Sequence, residues 1–133
     1  MKQPKQKPSE IIEAFLDFLE QSKSSYQTAY DVVGDADERL QDLLHELEFA
    51  KNKSEKGKAA TKLKSSRNAR RVNKDIVTEF KDIVEFCNDQ GNRPFIKKLK
   101  ELVRKQKFTE SYLDGERVYK PRKKGDVVNG YGG

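Results

Sequence analysis

Residues 9–50 read SEIIEAFLDFLEQSKSSYQTAYDVVGDADERLQDLLHELEFA, and this stretch decides the fold. Ile12, Leu19, Tyr26, Val33, Leu40 and Leu47 recur every seven residues, and all are apolar. Three residues after each stand Phe15, Ser22, Ala29, Ala36, Leu43 and Ala50, mostly apolar or small. A seven-residue repeat held this long keeps one helix stripe against a partner helix, as in a coiled-coil seam. The spacing predicts one helix from about Glu10 to about Lys51, on the order of 60 Å long at ~1.5 Å per residue. Ser9 is the expected N-cap, with Glu10 and Glu13 in the first turn, where carboxylates suit the helix dipole. Gly34 is a weak point, since glycine in a helix interior costs ~1 kcal/mol. Val33 and Leu40 nevertheless stay in register across it. One helix, bent at most, is therefore expected rather than two.

That helix needs something to pack on. Asn52 to Gly57 reads as a turn, and a second helix is expected from about Lys58 to about Asn88. Its apolar residues Ala69, Val72, Ile76, Val77, Phe80, Ile83, Val84 and Cys87 gather on one side at 3.6 residues per turn. Gly91 is the expected C′ residue. Asn92 should cap a third, shorter helix with Pro94 in its first turn. Phe95, Ile96, Leu99, Leu102 and Val103 form its apolar face. Beyond Phe108 the pattern fades. Asp114-Gly115 suits either a hairpin turn between Tyr112-Leu113 and Val118-Tyr119 or an extended segment lying on the helices. The fold class expected is all-α: a long antiparallel, coiled-coil-like helical hairpin plus a third short helix. The division is a flexible arm over 1–8, a helical domain over 9–113, and an extended segment with a disordered basic tail over 114–133.

With the hairpin turn near residue 54, the second helix reaches back only to about residue 20. Ile11, Ile12, Phe15, Phe18 and Leu19 then need cover from the third helix or from another chain. Exposed aromatic patches of this kind mark interfaces. These five residues are the candidate protein interface, and a homodimer or a partner-binding protein is expected.

Composition narrows the function classes. The chain has 133 residues, 34% hydrophobic and 38% charged, which favours thin layers of helix over a thick core. A formal net charge of +6 and a pI near 9.3 lean toward polyanionic partners. One cysteine and no tryptophan give no disulfide framework, so a reducing, cytoplasmic setting is expected. No apolar run approaches the ~20 residues that span a bilayer. Ile11 to Leu19 is interrupted by Glu13 and Asp17, which makes it a poor signal-peptide core. No membrane partner is expected.

The strongest local signal is electrostatic. Between Lys56 and Lys74 there are eight basic residues and no acid. Lys64, Arg67, Arg70, Arg71 and Lys74 share one helical stripe, and Lys97, Lys98 and Arg104 add charge on the third helix. Such a stripe suits the phosphates of a nucleic acid. It equally suits rim pairing with the acidic half of the first helix, where Asp35, Asp42 and Glu46 would face it across the hairpin. Both readings stay open here.

Enzyme signals fail in turn. Gly57-Lys58 resembles the end of a phosphate-binding loop, but Asn52 stands where the first glycine belongs and Ala59 where Ser or Thr should hold magnesium. Glu79-x-x-Asp82 followed by Glu85 has the spacing of a magnesium-binding carboxylate pair, yet these residues point away from the apolar face. His45 is the only histidine, on the outer side of the heptad, and with one cysteine it makes no structural zinc site. Cys87 falls on the apolar face and reads as inert core. Tyr112, Tyr119 and Tyr131 suit stacking on bases, or, for the first two, packing on the helix pair. No catalytic residue, metal site or cofactor is assigned, and the chain is not expected to be an enzyme.

Two stretches carry a family resemblance. Leu43-Leu44-His45-Glu46-Leu47-Glu48-Phe49 ends the first helix. Leu63, Arg67, Arg70-Arg71 and Lys74-Asp75 run through the second, and Val118-Tyr119-Lys120-Pro121-Arg122 follows. Together they resemble small uncharacterised helical-hairpin proteins of Gram-positive phages and prophages. The resemblance covers residues 40–122 and implies a phage setting in a bacterial cytoplasm, with no activity attached. The functional expectation is a non-enzymatic module that binds a host or phage protein, with phosphate-backbone binding as the alternative.

Overall fold

In the computed structural model, which describes residues 6–116 and 119, the seam is one uninterrupted helix, α1 (Pro8–Glu48). Gly34 does not break it. The glycine is exposed, and a Cβ there would meet nothing within 4 Å. A second helix, α2 (Lys53–Asn88), returns antiparallel, and α3 (Arg93–Asp114) follows. The expected all-α hairpin with a third helix is therefore present.

The inward stripe of α1 follows the predicted heptad over most of its length. Leu19, Ser22, Ala29, Ala36 and Leu43 are buried, while Tyr26, Val33, Leu40 and Leu47 are half-buried. From α2, Ala59 and Cys87 are buried and Leu63, Ser66, Arg70, Val77, Phe80 and Val84 are half-buried. The core is one layer deep and built largely of alanine-sized side chains, as the low apolar fraction required. Small residues at alternate layers let two helices approach closely, so each larger neighbour packs on backbone as well as on side chain.

Near the N-terminus the stripe departs from the heptad. The inward positions there are Ser9, Ile12, Leu16 and Leu19, so Leu16 takes the place expected of Phe15. The reason is a change of partner. α2 ends just past Cys87, which lines one groove with Leu19, and α3 takes over the rest of α1. α3 packs chiefly on α1 and barely touches α2. It also runs antiparallel to α1: Lys107 pairs with Glu13 at 3.0 Å, Glu110 with Ser9, and Asp114 with Lys7. Val103 is its buried anchor. A new partner helix arrives at a different angle around α1, and the buried positions rotate to meet it.

Several boundaries correct the sequence reading. α2 begins at Lys53, not Lys58, because Asn52 caps it: its side-chain oxygen accepts the Glu55 N–H at 2.8 Å. Glu55 in turn accepts the Lys51 N–H at 2.8 Å. Gly57 therefore lies inside a helix, and the turn shrinks to the residues around Ala50. Ser9 is not the cap of α1. Lys7 holds that place, and its backbone N–H donates to Glu10 at 2.8 Å. Lys7 and Pro8, expected within the arm over 1–8, instead cap and open α1. Gly91 does not adopt a left-handed conformation; the Asp89 carboxylate accepts its N–H at 2.7 Å instead. Asn92 stands at the cap position of α3, yet its side chain donates back to the Phe86 carbonyl at 3.0 Å. α3 continues through Tyr112 and Leu113 to Asp114, so those two residues form no strand. Val118, Tyr131 and the basic tail beyond Lys120 lie outside the described residues.

Candidate interaction surfaces

Charge is segregated by helix. α1 carries eleven acidic residues against two basic ones, a net of −9. α2 carries ten basic against five acidic, and α3 seven against three, for nets of +5 and +4. One helix is thus an acidic rod, and the two that line it are basic. Opposite charges along a helix–helix rim favour this pairing and disfavour like-with-like alternatives.

The structure divides the basic stripe between its two readings. Arg70 is half-buried and its Nε donates to Asp37 at 2.7 Å. Lys62, beside the stripe, donates to Glu46 at 2.8 Å. Asp35, expected to face the stripe, pairs within α1 with Arg39 at 3.3 Å. Lys64, Arg67, Arg71 and Lys74 are exposed and make no ion pair among the described residues. The same holds for Lys97, Lys98 and Arg104 on α3. Rim pairing therefore accounts for Arg70 and leaves four of the five stripe cations facing water.

The candidate protein interface is divided too. Leu19 is buried and Ile12 half-buried against the chain's own helices, so neither is free for a partner. Ile11, Phe15 and Phe18 remain out, at 55%, 46% and 46% exposure. Each precedes an inward residue by one position, about 100° around the helix. On α3, Leu102 stands in the same relation to buried Val103 and is also exposed. In an antiparallel pair, positions one residue before the seam on either helix fall on the same side. Positions one residue after it fall on the other, and Glu13 with Lys107 marks that opposite side. The α1–α3 pair thus has one flank that is apolar and one that is charged. The acids Glu10, Glu13, Asp17 and Glu20 all lie toward the charged flank. Sequence periodicity placed Leu102 on the apolar face of the third helix, but it stands exposed beside that face, and its place on this flank appears only once the α1–α3 register is known.

Polar contacts tie α3 onto α1 at its far end. Buried Ser9 donates its hydroxyl to Glu110 at 2.6 Å and its backbone N–H to the same carboxylate at 2.9 Å. These bonds, the hydroxyl's first, hold the Glu110 carboxyl below its ordinary value of 4.5. Lys7, bonded to Asp114, is raised above its ordinary 10.5. Glu110 is depressed, so its contribution is present above pH 4.5 and is lost as pH falls further, through its lowered value. Lys7 acts at the other extreme, above 10.5. Acidification well below pH 4.5 should therefore loosen the α3 end before the α1–α2 hairpin. Hydrogen exchange at Gln106 and Glu110, corrected for intrinsic rates, should report it, and Ser9→Ala should remove most of the pH dependence. Equal loss of protection in both regions would refute this order.

Elsewhere the candidates fall as follows. His45 is exposed, stacked on Phe49 with ring centroids 6.0 Å apart. Glu79, Asp82 and Glu85 are exposed, with Glu85 paired to Lys81 at 3.6 Å. Among the described residues no three His, Cys, Asp or Glu side chains gather as metal ligands, and no helix is long and apolar enough to cross a membrane. Cys87 is buried, facing a shallow groove of about 430 Å³ at the α2–α3 junction with Leu16, Leu19 and Ile96. Tyr112 and Tyr119 are exposed rather than packed on the helix pair. No family model, curated protein or solved structure matches the chain.

Proposed function

We propose that this chain is a non-enzymatic protein-binding module that acts through its coiled-coil-like helical surface. The carrying observation is the apolar flank of Ile11, Phe15, Phe18 and Leu102, left uncovered by the chain's own helices. Large side chains exposed side by side cost solubility and are most useful when a partner covers them. The phage resemblance sets the module in a bacterial cytoplasm, with a phage or host protein as partner. Capture from a Gram-positive lysate tests it. A discrete protein should be retained by the native chain and lost with Phe15→Asp or Leu102→Glu. Retention that is indifferent to both substitutions would remove the reading.

A second reading rests on Lys64, Arg67, Arg71 and Lys74, exposed and without ion pairs among the described residues. Four phosphate contacts on duplex DNA give a slope of log affinity on log salt near about −3.6. Replacing all four by Gln should flatten that slope and weaken binding uniformly across sequences. No binding to duplex or single-stranded nucleic acid at low salt would eliminate this reading and leave the first intact.

A further inference from the structure

We infer that the apolar flank of the α1–α3 pair is covered by a second copy of this chain, with α1 of each copy lying against α3 of the other. The inference rests on the protein-binding reading of that flank and names its occupant.

Area comes first. Ile11, Phe15, Phe18 and Leu102 are 40–55% exposed on one side of one helix pair. With roughly 150–250 Å² in a whole aromatic side chain, the four present on the order of 300–400 Å² of apolar surface. Two such flanks face to face, with the stems of Lys98 and Lys105 and the edge of Gln21 around them, reach the roughly 1,000 Å² total that a specific interface needs. A flank of this kind is also self-complementary, as a two-fold axis requires.

Charge then selects the arrangement. Two flat helix pairs can meet about a two-fold axis across the helices or along them. An axis across the helices sets α1 on α1 and α3 on α3. That brings the acidic rod onto itself and sets Lys98 of one copy beside Lys105 of the other. An axis along the helices sets the stretch of α1 that lies beside α3, net −3 over residues 8–26, on the partner's α3, net +4. Every neighbouring pair in the resulting four-helix bundle is then antiparallel and opposite in charge, as it already is within one chain. Phe15 and Phe18 of one copy lie over Leu102 of the other, and the acidic and charged flanks stay in water.

The full chain tests this in two steps. Sedimentation at about 100 µM, a concentration chosen to populate a micromolar dimer, should show twice the 15.4 kDa chain mass. Phe15→Asp and, separately, Leu102→Glu should each return it to the monomer with unchanged helical circular dichroism. For orientation, Cys87→Ser supplies a background free of thiols. Phe15→Cys and Leu102→Cys are made in it separately, then mixed and oxidised. The inferred packing gives the Phe15→Cys/Leu102→Cys heterodisulfide as the main product. Homodisulfides as the main products would overturn the orientation. A monomer for the native chain would overturn the dimer. A monomer that still captures a lysate protein through Phe15 would leave the protein-binding reading standing, whereas a dimer that captures nothing would confine that reading to self-association.

Discussion

Leu43→Ala should cost about 2–5 kcal/mol, because a buried leucine loses both its transfer energy and part of its packing. Leu43 is 9% exposed, and the Lys62–Glu46 and Arg70–Asp37 pairs set it level with Leu63 and Ser66 of α2. Its neighbour Leu44 is 41% exposed, one step around the helix. Leu44→Ala should cost under about 1 kcal/mol, as surface substitutions do. The pair is informative because both residues are leucine and adjacent. Only the phase of the seam tells them apart. Urea denaturation of the two variants, read at the midpoint with slope unchanged, checks it. Similar losses, or the larger one at Leu44, would mean that the stripe on α1 has the wrong phase at this end.

Phase was legible in the sequence wherever a single partner lies along α1. From Ser22 to Leu47 the heptad reading and the inward positions agree, because α2 covers that whole stretch. The same reasoning placed Phe15 in the seam, where it is not. Nothing local to residues 8–19 reports that the covering helix changes at Cys87–Arg93. The information lies in the α3 contacts, Val103 and the Ser9–Glu110 pair, whose partners are about a hundred residues apart. Ser9 was misread for a related reason. A serine before a helical run is a good cap by composition, and here its hydroxyl has a distant carboxylate to bind. The early start of α2 was recoverable, since Asn52 followed by Glu55 has capping-box spacing. The Gly57 that suggested a turn outweighed it.

The surfaces were partly legible. Aromatic spacing located Ile11, Phe15 and Phe18, and charge counting located the stripe on α2. Deciding what is free required tertiary pairing. Arg70 bonds Asp37 rather than the expected Asp35, because the short turn sets which residues face one another across the hairpin. That detail matters for function. An arginine held at a rim is unavailable to a phosphate, so a nucleic-acid reading now has four stripe cations rather than five. It also explains why charge segregation alone does not imply a polyanion partner. The acidic rod absorbs part of the basic charge along the chain's own rim, and the net of +6 resides in the segments between and beyond the helices.

Ala29→Leu should destabilise the hairpin by about 1–3 kcal/mol, the usual cost of forcing extra methylenes into a filled layer. Ala29 is 1% exposed, among the most buried residues of the molecule, and it lies midway along the seam. Tyr26 and Val33 flank it on α1, and Val77 and Phe80 belong to the facing stripe of α2. With larger side chains on both sides, the alanine sets how closely the helix axes approach. A leucine there must either leave its preferred rotamer or push the helices apart, which would also loosen half-buried Leu40 and Arg70 along the same stripe. Ala14→Leu is the matched control, since Ala14 is exposed on the same helix and alanine and leucine differ little in helix propensity. Its stability should stay within about 0.5 kcal/mol of the native chain. Should Ala29→Leu instead prove neutral or stabilising, the helices would be farther apart at this layer than a seam of small residues allows, and the hairpin would owe its stability to its larger layers at Leu19 and Leu43.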